Sequence, residues 1–84
     1  MEKEIVWTCV AQNDFLQISM YLKENWPKVV LDNFSQALFL KMQLLQKHPS
    51  IGYKSAKYSR FRKTLIKSHY ILIYSVQQNK IMII

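Results

Sequence analysis

Eighty-four residues, half of them hydrophobic and carrying a formal net charge of +7, describe one small globular domain rather than a disordered chain. No apolar run approaches the ~20 residues of a membrane span, and the start "MEKEIVWT" lacks the long apolar stretch of a secretory signal. Cys9 stands alone, which excludes an internal disulfide and a cysteine-rich metal site, so a cytoplasmic protein is the plain reading.

In chain order, "EIVW" (4–7) is a short β-type run with Ile5 and Trp7 on one side and Val6 on the other. Thr8 stands where a helix N-cap belongs. Ala11, Phe15, Ile18, Leu22 and Trp26 then recur at helical spacing, which predicts an amphipathic helix with these residues inward. Asp14 near its start and Lys23 near its end suit the helix dipole. The break comes at "NWP", because Pro27 cannot sit inside a helix but fits the first turn of a new one. A second helix is predicted from about Pro27 to Lys47, with Val30, Phe34, Ala37, Leu38, Lys41 and Leu45 as its stripe. Leu31, Phe39 and Met42 lie to one side of that stripe and either widen the buried face or stay exposed. "HPSIG" ends the helix, with Pro49 as the stop, Gly52 as a turn residue and His48 as a capping or dipole-favoured residue.

The stretch "YKSAKYSR" (53–60) has no periodicity and reads as a loop. Strands are predicted at about 61–66 and 70–76, joined through Lys67, Ser68 and His69, followed by a "QQNK" turn and a final run "IMII". The order is β-α-α-β-β-β. It implies an α+β fold in which a short N-terminal strand and a helical hairpin pack on a small, mostly antiparallel sheet. The apolar "IMII" is expected between neighbouring strands, since a bare apolar edge invites aggregation.

Charge is distributed unevenly. All five carboxylates (Glu2, Glu4, Asp14, Glu24, Asp32) lie in the first 32 residues, and from Asn33 onward there are nine Lys and Arg and no acid. Such a half suits a polyanion or an acidic protein partner, with a simply solvated basic surface as the alternative. It excludes two-carboxylate acid/base chemistry and hard-metal coordination there. One cysteine and two histidines are too few for a zinc site, so neither metal nor cofactor is expected. No hydroxyl is spaced with His48 or His69 as a nucleophile–base pair. Metal-free RNA cleavage is still chemically open, drawing on Lys54, Lys57, Arg60, Arg62, Lys63, Lys67, His69 and Tyr70 as base, acid and cations. The alternative is that these are solvated charges that discourage edge pairing.

An ordered set of residues carries a family resemblance. Ala11, Asp14, Ile18, Tyr21 and Leu22, then Pro27, Phe34 and Leu38, then His48, Pro49 and Gly52, then Arg62, Lys63, Tyr70 and Tyr74 together resemble the RelE/ParE superfamily of type II toxins, over nearly the whole chain. The resemblance implies a single domain over residues 1–84, short of the family's usual C-terminal end, and an acidic antitoxin that wraps and silences it. It also implies one of two targets. The ribosome-dependent ribonuclease branch carries two basic residues two apart before the hairpin, an Arg after the hairpin tyrosine, and Arg and Tyr near the C-terminus. Here Arg62 matches the first place, but Thr64 and Ile71 occupy the next two and the last two fall beyond Ile84. The ParE-like branch, which inhibits DNA gyrase without that set, fits better; the ribosome with its mRNA is the alternative, with Arg62 then catalytic.

Alternation sorts the two strands into faces. Phe61, Lys63 and Leu65 share one side, Arg62, Thr64 and Ile66 the other. Tyr70, Leu72, Tyr74 and Val76 are assigned to the core, leaving Ile71, Ile73 and Ser75 outward. With Phe61 and Leu65 inward, Arg62 stands at the margin of a largely apolar open face, which suits a protein segment more than RNA. Lys63 is the misfit: it snorkels to an edge, or the register is one residue out and the faces exchange. The expected binding set for a partner or nucleic acid is Lys54, Lys57, Arg60, Arg62, Lys63, Lys67, Ile71 and Ile73.

Overall fold

Thr8 closes the first turn of the first helix, its Oγ1 accepting a hydrogen bond from the Ala11 amide at 3.2 Å. In the computed structural model, which describes residues 3–67 and 70–84, this helix (α1) runs Cys9–Asn25 and follows strand β1, Glu4–Trp7. Helix α2 spans Lys28–Lys47 with Pro27 at its N-cap, so the proline separates the two arms of a helical hairpin. A 3-10 turn at Pro49–Ile51 leads into β2 (Tyr53–Lys54), β3 (Arg62–Lys67), β4 (Tyr70–Val76) and β5 (Lys80–Ile83).

The strands form one sheet in the order β1-β5-β4-β3-β2. The pairs from β2 to β5 are antiparallel, and β5 then meets β1 in parallel. The α+β expectation holds with one addition. The stretch expected as a loop contributes β2, whose Tyr53 and Lys54 pair with Lys63 and Arg62. The C-terminal run lies inside the sheet, with Ile81 and Ile83 fully buried between β4 and β1.

The helices cover one face of this sheet. Ala11, Leu38 and Leu45 meet Leu72, Tyr74, Ile81 and Ile83, with Ile5, Trp7, Phe15, Met42 and Ile66 packed around them. A chain of ring contacts crosses from β1 to β4 through both helices: Trp7 to Phe15 (5.9 Å), Phe15 to Phe34 (6.2 Å) and Phe34 to Tyr70 (4.9 Å). Trp26, expected inward, is 53% exposed. It is the C-cap residue at φ −136°, where the chain has left the helical path, so the spacing that directs Leu22 inward no longer directs Trp26. Val76 at the end of β4 and Phe39 on α2 are likewise exposed, whereas Leu31 and Met42 are half-buried. At either end of β1 a glutamine amide serves a main-chain carbonyl: Gln46 Nε2 donates to Lys3 O (3.1 Å) and Gln12 Nε2 to Trp7 O (3.2 Å).

Candidate functional site

Tyr74 is fully buried, and its hydroxyl reaches the 3-10 turn, accepting from the Gly52 amide at 3.0 Å and donating to the Pro49 carbonyl at 2.8 Å. Arg62, its cross-strand partner, sends Nη1 to the Gly52 carbonyl at 2.7 Å and to that of Ser50 at 3.4 Å. Two side chains from neighbouring strands thus hold residues 49–52 against the sheet. Gly52 was expected as a turn residue, but its backbone is ordinary (φ −75°, ψ 161°). Close approach is what requires glycine: a Cβ there would lie 2.5 Å from Tyr74 Oη and 2.7 Å from the Lys63 carbonyl.

This corner positions the β2–β3 hairpin. Ser55 is buried; its amide donates to Phe61 O at 2.9 Å, while its Oγ accepts from the amides of Lys57 (3.3 Å) and Tyr58 (3.2 Å). The Phe61 amide donates to Tyr58 O at 3.0 Å, which closes the loop over residues 55–61. On it, Lys57 Nζ lies 5.4 Å from the Tyr58 ring centre and the Arg60 guanidinium 5.0 Å from that of Phe61. The two rings meet edge to face at 5.8 Å.

The β3–β4 register corrects the expected faces. Arg62 pairs with Tyr74, Thr64 with Leu72 and Leu65 with Ile71. Since Leu72 and Tyr74 are buried, Arg62, Thr64 and Ile66 face the helices, and Lys63 and Leu65 face away. The expected assignment of Phe61 and Leu65 to the core is reversed. Leu65 and Ile66 are adjacent and both apolar, so either register buries one of them, and alternation within the strand does not choose. Lys63 carried the signal: on the true face it needs no snorkelling.

The open face therefore bears Leu65 and Ile71, each 53% exposed, beside half-buried Ile73 and Lys63 and exposed Tyr53. Its apolar character is as expected at Ile71 and Ile73, but Arg62 does not stand at its margin. Of the remaining candidate cations, Lys54, Lys57 and Arg60 are exposed on the hairpin. Lys67 lies at the other end of β3, lining a cleft of about 490 Å³ with Tyr21, Trp26 and Tyr70. The described carboxylates, Glu4, Asp14, Glu24 and Asp32, are exposed on β1 and the two helices, so the hairpin contains none.

The expected ribonuclease places do not converge. Arg62 is bound into the corner, Thr64 is buried beneath the helices, and Ile71 projects from the opposite face. His69 lies outside the described residues. His48 is exposed at the end of α2, where its amide donates to Leu44 O at 2.8 Å. Among the described residues no group of three or more His, Cys, Asp or Glu could hold a metal ion, and no helix is long and apolar enough to cross a membrane. Sequence reading missed Ser55, Tyr53 and Tyr58. "YKSAKYSR" mixes polar and aromatic residues without a period, and the pairing of β2 with β3 is what shows it to be an ordered arm.

No curated protein matches the chain. Residues 5–84, however, match the model of the family described as the ParE toxin of type II toxin-antitoxin system, parDE. That span takes in the helical hairpin, the tyrosine-anchored corner and every strand bar the first residue of β1. The chain belongs to the ParE toxin family of type II toxin–antitoxin systems.

Proposed function

We propose that this toxin is of the non-nucleolytic kind, that it inhibits DNA gyrase in the cytoplasm, and that an acidic antitoxin silences it by covering the open face of the sheet. The observation that carries the first part is the engagement of Arg62. Cleavage of RNA without a metal needs a base for the 2′-hydroxyl, cations around the phosphorane and an acid for the leaving oxygen. Arg62 is the one residue in the expected places able to hold that charge, and its guanidinium is turned to two main-chain carbonyls. Thr64 and Ile71 can hold no developing negative charge from where they sit.

The antitoxin part rests on the open face. An antitoxin partner belongs to the family. Leu65 and Ile71 form an exposed apolar pair across neighbouring strands, with Lys63 on the same face. Apolar anchors there, joined by a carboxylate toward Lys63, would match both features of the surface.

Purified ribosomes, a short message and this protein test the non-nuclease reading. No codon-dependent cut is expected. Cuts in the ribosomal A site, abolished by Arg62→Ala, would instead assign the toxin to the ribonuclease branch.

A further inference from the structure

We infer that the β2–β3 hairpin is a DNA-binding element that takes the phosphate backbone of a duplex. Lys57 and Arg60 are exposed on a loop that Ser55 closes through three hydrogen bonds, and Lys54 is exposed in β2 just before it. Two of these cations lie against aromatic rings of the same loop, which fixes where their charge stands and lowers the entropy lost when a phosphate is gripped. Tyr53 and Tyr58, 58% and 49% exposed, add hydroxyl donors of the kind that contact phosphate oxygens. No acid of the hairpin competes for them.

The same features choose among polyanions. A protein partner needs apolar anchors seated in pockets, and the molecule's main clefts are lined by residues of the helices, β1, β3, β4 and the C-terminal run, with none from residues 53–60. A single strand would be held by bases stacked on free aromatic faces. Here Lys57 and Arg60 already sit over the Tyr58 and Phe61 rings, which leaves Tyr53 as the one ring of the arm without such a neighbour, so backbone contact is chiefly what the arm offers. Binding of this kind is independent of sequence and depends on salt.

The test uses the whole protein and a labelled DNA duplex of about 20 base pairs, followed by fluorescence anisotropy between about 50 and 200 mM salt. With roughly three phosphates neutralised, the slope of log K against log salt should be about −3. A triple variant, Lys54→Gln with Lys57→Gln and Arg60→Gln, should bind on the order of 10- to 100-fold more weakly and flatten the slope to about zero or −1. A control triple variant, Lys23→Gln with Lys28→Gln and Lys47→Gln, removes the same charge from exposed helix positions and should change affinity less than about threefold. Circular dichroism of both variants checks that they fold. Equal losses in the two variants would show attraction by net charge alone and overturn the proposal. So would tighter binding to a single strand of the same length, or displacement of the duplex by polyglutamate at equal charge. Because the probe is free DNA, the outcome is separable from whether gyrase is the target.

Discussion

Arg62 donates from Nη1 to the carbonyl oxygen of Gly52 at 2.7 Å, and so braces the 3-10 turn against the sheet. A charged donor on a neutral carbonyl contributes more than an uncharged bond when part-buried. Arg62→Ala should therefore lower unfolding free energy by about 1–3 kcal/mol, read from urea denaturation. Lysine, with a single ammonium in place of the planar fork, should restore only part of it.

The corner that Arg62 supports should be intolerant at two further positions. Gly52→Ala drives a methyl group into Tyr74 Oη and the Lys63 carbonyl, with an expected cost of about 1–3 kcal/mol from overpacking. Tyr74→Phe leaves the Gly52 amide without its acceptor and the Pro49 carbonyl without its donor, at about 1–3 kcal/mol. The double variant should lose less than the sum, because removing the hydroxyl also removes one of the two clashes. A double-mutant cycle by chemical denaturation measures that coupling.

On the open face, Ile71→Lys places a charge where the side chain is already 53% exposed. Folding stability should change by no more than about 0.5–1 kcal/mol. Affinity for the cognate antitoxin, measured by calorimetric titration, should fall on the order of tenfold or more, equivalent to about 1.4 kcal/mol. Unchanged affinity would move the antitoxin site away from this face.

The helical hairpin was legible because Ala11, Leu22, Phe34, Leu38 and Leu45 repeat at the period of a helix, and each is buried as that period requires. Pro27 and Thr8 marked the boundaries through local chemistry that tertiary structure does not override. What was not legible depends on partners distant in sequence. The parallel pairing of β1 with β5 joins residues 4–7 to residues 80–83, and nothing within either run encodes it. The inward face of β3 was decided by its register with β4, in which Thr64 meets Leu72; Lys63 flagged the choice but could not make it. In the candidate site the cations were readable one by one. Their division between a half-buried strut (Arg62), an exposed loop (Lys57 and Arg60) and a remote cleft (Lys67) was not, since hydrogen bonds to main-chain carbonyls and ring contacts leave no periodic trace.

Supercoiling of relaxed plasmid by purified DNA gyrase and ATP, titrated with this toxin, tests the gyrase reading most directly. Loss of supercoiling as toxin is added, restored by a stoichiometric amount of the cognate antitoxin, is the predicted result. Complete supercoiling at a large molar excess of folded toxin would contradict it.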